Sequence, residues 1–163
     1  AKEALRLVRE HAEKGHINPK DVGIMGSSAG GHLASTVATH SDSLTAPNFQ
    51  ILFYPVITFD YAFTHKGSRH GLIGENASQE MVDLYSNEKQ VTPQTPHAIM
   101  LLSDDDNVVP SPNSVNYYLA LKKNKVKATM HIYPSGGHGW GIRENFKYHN
   151  EMMADLSAWL KSF

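Results

Sequence analysis

Gly26-Ser27-Ser28-Ala29-Gly30 is the stretch on which the reading of this chain turns. It has the spacing G-x-S-x-G, follows the apolar run Val22-Gly23-Ile24-Met25, and opens a run of small residues from Ala29 to His40. A serine hydroxyl is a poor nucleophile until the fold exposes it. A sharp strand-to-helix turn does so, and the flanking glycines let backbone crowd there without a Cβ. The expected arrangement is a strand over 22–25, a turn with Ser28 at its apex, and a helix over 29–40. Ser28 is the candidate nucleophile and Ser27 a small spacer. The start of the helix would aim the backbone N–H of Ala29 at the point where negative charge develops on a substrate oxygen. The alternative for the same residues is a glycine-rich strand-to-helix turn that binds an anion.

A nucleophile needs a base, and the base needs a group that orients it. Ile99-Met100-Leu101-Leu102 reads as a short buried strand running into Ser103-Asp104-Asp105-Asp106-Asn107-Val108-Val109-Pro110. An acidic residue past a strand's C-terminal end lies on the face where open α/β sheets place their sites. Within the cluster the spacing Asp-x-x-Val-Pro selects Asp106, its carboxylate turned inward while Val109 packs down; Asp105 is second. A solvated turn or a helix cap would use the same aspartates. The strand-like stretch Ala128–Tyr133 leads into Pro134-Ser135-Gly136-Gly137-His138-Gly139-Trp140-Gly141. Of ten histidines, His138 alone sits in a glycine-dense loop just past a strand end, from which an imidazole could reach Ser28. His32 is expected to pack on the helix after the serine turn, and His131 to be a strand residue. No H-E-x-x-H, no cysteine pair and no set of oxygen ligands marks a metal site.

The order Ser28, Asp106, His138 is that of an α/β-hydrolase. The chain resembles the C-terminal part of esterase/lipase-type α/β-hydrolases of the acetyl xylan esterase and acetylesterase kind. The matching stretches are Gly26–Ala34, Ser86-Asn87-Glu88-Lys89-Gln90-Val91-Thr92-Pro93, Val108-Val109-Pro110-Ser111-Pro112-Asn113-Ser114 and Gly136–Gly139, in family order. The Ser86–Pro93 stretch narrows the match to the acetylesterase-like members. The resemblance implies Ser28 as nucleophile, Asp106 as orienting acid and His138 as base. It also implies no cofactor, and a substrate that is a short-acyl ester, acetylated carbohydrate above all.

One departure from the pattern stands out. Such hydrolases have several strands and a glycine-rich oxyanion loop before the serine turn, whereas here a single helix precedes it. Ala1, Leu5, Val8 and Ala12 give that helix an apolar stripe over 1–14. The reading is therefore a truncated α/β-hydrolase fold: a three-layer α/β sandwich on a short parallel sheet of about four strands, missing the second oxyanion donor. The strand at Val22–Met25 would have one side unpaired, which predicts a homodimer or a partner chain along that edge.

The remaining elements are strands over 49–54, 98–102 and 127–133, a helix from Pro112 to about Asn124 capped by Ser111, and a final helix over 145–163 that buries Ala154, Trp159 and Leu160. Alternating α and β elements imply a parallel sheet with right-handed crossovers. The whole of 1–163 reads as one domain, with 59–96 as a cap-like insertion rich in aromatic and hydroxyl groups. A length of 163 residues and 40% hydrophobic content suffice for one core, and a net charge of −1 gives no electrostatic case for nucleic acid. No signal peptide and no apolar run long enough to span a bilayer are visible. Two other classes fit the same residues: a serine peptidase of the same fold, and a non-catalytic fragment.

Overall fold

The computed structural model describes residues 1–163. Its elements are α1 (Lys2–Glu10), β1 (Ile24–Ser27), α2 (Ala29–His40), β2 (Phe49–Phe53), α3 (Lys66–Ile73), α4 (Gln79–Tyr85), a 3-10 turn at Asn87–Lys89, β3 (His97–Ser103), α5 (Pro112–Lys123), β4 (Ala128–Tyr133) and α6 (His149–Leu160). The four strands form one sheet in the order β1-β2-β3-β4, every pair parallel. Ile24 pairs with Gln50, Phe49 with His97, and Ala98 with Ala128. The C-terminal ends of all four strands therefore lie along one rim.

Period-2 alternation sorts the strand residues into two cores. Leu52, Ala98 and Met100 pack with Ala34 of α2 and Tyr117 and Leu121 of α5. Ile51, Phe53, Ile99 and Leu101 pack with Met152 and Leu156 of α6, and with Tyr133, Trp140 and Phe146. The first face carries two crossover helices because crossovers of one hand between successive strands fall on the same side. The second face carries α6, which packs on β3. Beyond the reach of α6, Met25 on edge strand β1 is 59% exposed and Ile142 is 58% exposed, and a cleft of about 230 Å³ lies between them and Phe53.

The α/β alternation and the sheet of four parallel strands agree with the sequence reading. The element bounds differ in instructive ways. The first strand is Ile24–Ser27 and not 22–25, because the ladder with β2 continues through Gly26 and Ser27, which pair with Leu52 and Phe53. The first helix stops at Glu10, and turns carry the chain to His16. In α6 the buried residues are Met152 and Leu156; Ala154 is exposed and Leu160 is 39% exposed. A short helix lying on one strand buries a narrow stripe, here Met152 and Leu156 at i, i+4, while Trp159 is half-buried against the same core, as expected. Ser111 stands at the start of α5 with Pro112 behind it, but its side chain makes no capping bond.

Buried polar side chains tie residues 54–96 to α2, to α5 and to one another. Asn87, fully buried, donates to the His32 carbonyl (3.2 Å), Ser35 Oγ (2.7 Å) and Thr36 Oγ1 (3.0 Å). Asn113 accepts from the N–H groups of Ile57 and Thr58 and donates to the carbonyls of Phe63 and Pro110. Arg69, also buried, donates to the Phe59 carbonyl and the Tyr61 hydroxyl. Irregular backbone over a sheet must find partners for its polar groups, and these three residues supply them.

Candidate active site

The turn between β1 and α2 is strained. Ser28 sits at φ 53°, ψ −123°, a region that side chains other than glycine rarely adopt. Three bonds hold it there: the Ser28 N–H donates to the Phe53 carbonyl (3.0 Å), and the Ser28 carbonyl accepts from His32 (3.2 Å) and Val56 (3.0 Å). The glycines make room. A Cβ on Gly26 would lie 2.1 Å from the Gly30 carbonyl oxygen, and one on Gly31 would lie 2.6 Å from Pro55 Cβ. The outcome is a serine lifted above the rim at the N-terminus of α2. The first N–H groups of a helix have no acceptor within it, so the N–H of Ala29 faces outward beside Ser28.

The Ser28 hydroxyl does not cap its own helix. It lies 2.8 Å from Nε2 of His138, across 110 residues of sequence. Nδ1 of the same ring lies 2.7 Å from Asp106 Oδ2. A carboxylate can only accept, so the proton is on Nδ1 and the Nε2 lone pair faces the serine O–H. Asp106 is buried, and its Oδ1 accepts from the backbone N–H of Val108 and of Val109, both at 2.9 Å. Three N–H donors thus surround the carboxylate and fix its orientation. Val109 is buried beneath the turn. The structure brings Ser28, Asp106 and His138 together; it places Asp105 elsewhere, against the backbone of the histidine loop.

The loop carrying His138 is held in part by Tyr54 and Ser103, side chains that sequence reading passed over. The Tyr54 hydroxyl accepts from the Gly141 N–H (2.7 Å), and its ring lies 4.6 Å from the His138 ring. Burial holds the Tyr54 phenol above its ordinary range, so it stays a neutral hydroxyl near neutral pH. Ser103 Oγ accepts from Trp140 Nε1 (2.9 Å), and Trp140 stacks on Phe146 at 4.0 Å. Trp140 is therefore an anchor of the loop, buried in the core. Tyr54 was legible in principle: it ends β2 just before Pro55, the same strand-end position that singled out the other three side chains.

His32 is buried on α2, with Nε2–H donating to the Tyr85 carbonyl (2.8 Å) and its ring stacked 4.4 Å from Phe59. Burial pushes its pKa down, which keeps it neutral. It braces the insertion through the Tyr85 carbonyl. Between α2 and α3 a cleft of about 420 Å³ starts at Ala29 and runs past Leu33, Leu72 and Tyr85. No group of three or more metal-ligating side chains occurs.

Known proteins match this chain over nearly its whole length. The Prolyl oligopeptidase family matches residues 1–163. An acetylxylan esterase of Xylanibacter ruminicola is 42% identical over 98% of this chain, which covers 34% of that protein. Among solved structures, an acetyl ester-xyloside bifunctional hydrolase from Caldicellulosiruptor lactoaceticus superposes with a TM-score of 0.92 at 37% identity. The match covers 99% of this chain and 63% of that one. A sugar hydrolase from Lactococcus lactis gives a TM-score of 0.83 at 29% identity, over 98% of this chain and 65% of that one. The chain thus spans about a third of the curated relative and somewhat under two thirds of the solved ones. Its fold is that of the α/β-hydrolases, and with a family match over its whole length the chain belongs to the prolyl oligopeptidase family.

Proposed function

We propose that this chain carries the acyl-transfer machinery of a serine esterase that removes short acyl groups, acetyl foremost, from carbohydrate esters. The observation that carries the reading is the continuous hydrogen-bonded line from Ser28 Oγ through the His138 ring to Asp106. In the first step His138 Nε2 takes the hydroxyl proton as Ser28 Oγ bonds to the ester carbonyl carbon. The carbonyl oxygen gains negative charge, which the outward N–H of Ala29 and the helix terminus stabilise. Asp106 stabilises the imidazolium. His138 then passes its proton to the departing alcohol, leaving an acyl-serine and a neutral imidazole. Water enters and gives a proton to His138 as its oxygen bonds to the acyl carbon; the bond from that carbon to Ser28 Oγ then breaks, His138 returns the proton to Oγ, and the acid leaves. Every proton moves on Nε2, so this sequence calls on no bound cofactor.

The substrate class rests on the relatives, an acetylxylan esterase and an acetyl ester-xyloside hydrolase. The cleft running from Ala29 between α2 and α3 supports it, since it is large enough for a sugar ring beside the scissile ester. In this reading residues 59–96 cap that cleft. The family's name favours a second reading, a peptidase with the same three residues. The two separate on paired chromogenic substrates: p-nitrophenyl acetate is expected to turn over and an aminoacyl p-nitroanilide is not. The Ser28→Ala protein serves as the blank. Preference for the anilide would replace the esterase with the peptidase, and equal rates in wild type and blank would leave a non-catalytic fold.

The outer edge of β1 belongs to the same proposal. β1 ends the sheet with one side unpaired, beside exposed Met25. We propose that another strand pairs there, from a second copy or a partner chain, because an open apolar edge favours such pairing. Sedimentation of the isolated chain is expected to report a dimer. A monomer at every concentration, with no loss of β1 amide protection, would overturn the edge-pairing proposal.

A further inference from the structure

We infer that Asp105 is a positioning residue for His138: its carboxylate clamps the backbone of the histidine loop while its neighbour Asp106 orients the ring. The inference rests on the proposed roles of Ser28 and His138, and it assigns the two adjacent aspartates separate tasks. Asp105 Oδ1 accepts from the Gly137 N–H at 2.8 Å, and Oδ2 accepts from the Gly136 N–H at 3.2 Å. Two consecutive backbone N–H groups converging on one carboxylate form a small anion-binding concavity. It exists because Gly136 and Gly137 are held at φ +145° and +59°, conformations that side-chain-bearing residues rarely adopt.

The loop needs such a clamp for a physical reason. A chain reading Gly-Gly-His-Gly has a large backbone freedom to lose, so an imidazole on it is poorly placed unless the flanks are tied. After His138 the ties are Trp140 Nε1 to Ser103 Oγ and the Gly141 N–H to Tyr54. Before His138 the tie is Asp105. All three are short links to the ends of β2 and β3, so the loop is indexed to the strands that carry Asp106 and hold Ser28. Accepting the Gly137 and Gly136 N–H groups also holds the Asp105 carboxyl below its ordinary range, which keeps it charged near neutral pH. Asp105 is itself exposed and packs in no core, so its replacement leaves folding intact.

The test is steady-state hydrolysis of p-nitrophenyl acetate by Asp105→Ala and Asp105→Asn, alongside wild type and Ser28→Ala. Thermal unfolding is recorded, as is the downfield proton resonance of His138 Nδ1–H. Asp105→Ala is expected to lower kcat about 30-fold with KM within about twofold, since misplacing a catalytic group acts on the chemical step. Its unfolding midpoint stays near wild type, and the Nδ1–H resonance broadens. Asp105→Asn keeps one oxygen for the shorter Gly137 bond and is expected to lose about 5-fold. Equal losses in the two variants would mean that charge and not the clamp is at work. Wild-type kcat in Asp105→Ala, or a loss that tracks the unfolding midpoint, would also overturn the clamp. Activity surviving in Ser28→Ala would sink the underlying assignment of the serine, a result distinct from any of these.

Discussion

Ser28→Ala is expected to bring p-nitrophenyl acetate hydrolysis down to the background rate, a loss of about 10⁴–10⁶-fold in kcat. The size follows from what remains. His138 and Asp106 keep their hydrogen bond at 2.7 Å, and the N–H of Ala29 still faces outward, but no oxygen is left 2.8 Å from Nε2 to attack the carbonyl. Alanine carries the same Cβ as serine, so the backbone at φ 53° is no more strained than before. The unfolding midpoint is therefore expected to move by no more than a few degrees. Stopped-flow acyl-enzyme detection with wild type and variant checks both halves: the wild type gives a burst of p-nitrophenol and the variant gives none. A variant that retains more than a few per cent of wild-type turnover would remove Ser28 from the chemistry.

Asp106→Asn is expected to cost about 10³–10⁴-fold in kcat while the protein stays folded. Asparagine fits the same space. Its amide oxygen can still accept the Val108 and Val109 N–H groups, both at 2.9 Å, so the turn survives. That orientation points the amide NH₂ at the His138 ring. An N–H donor facing Nδ1 requires a lone pair there, which moves the ring proton to Nε2. A ring protonated on Nε2 cannot accept the Ser28 proton, and the relay stops although every distance is nearly kept. Asp106→Ala loses the turn bonds as well and is expected to unfold at lower temperature. The comparison that decides is kcat beside unfolding midpoint for the two variants. An asparagine variant with a tenth or more of wild-type kcat would show that the tautomer is not set by Asp106.

Much of the site was legible because its chemistry is local in sequence even though its geometry is not. The serine turn announces itself through glycines that no other residue could replace: Gly26 lies against Gly30, and Gly31 against Pro55. The choice of Asp106 over Asp105 came from the turn spacing to Val109. The backbone bonds from Val108 and Val109 show why, since they rotate that carboxylate inward and leave its neighbour outside. What sequence could not supply were the supports. Tyr54, Ser103 and Asp105 act through single hydrogen bonds to a loop 30 to 90 residues away. No periodicity or spacing encodes the loop group that each of them bonds, although its strand-end position marked Tyr54. The motif residues Asn87 and Asn113, which helped to carry the family resemblance, are internal brackets that fasten the insertion to α2 and to β2's continuation. Helix bounds were the weakest expectation: in α6 the buried stripe is Met152 and Leu156, chosen by which residues happen to overlie β3.

By itself the sequence determined the alternation of strands and helices and the parallel sheet, and it named three candidate side chains for the rim. These follow from apolar runs, glycine spacing and chain order, all properties of neighbouring residues. Tertiary structure alone decided that Nε2 lies within reach of Ser28 Oγ, and that Asp105 turns to the backbone of the histidine loop. Those outcomes depend on where separate strands end relative to one another. That is set by sheet register and core packing, summed over contacts between distant segments that no local stretch contains.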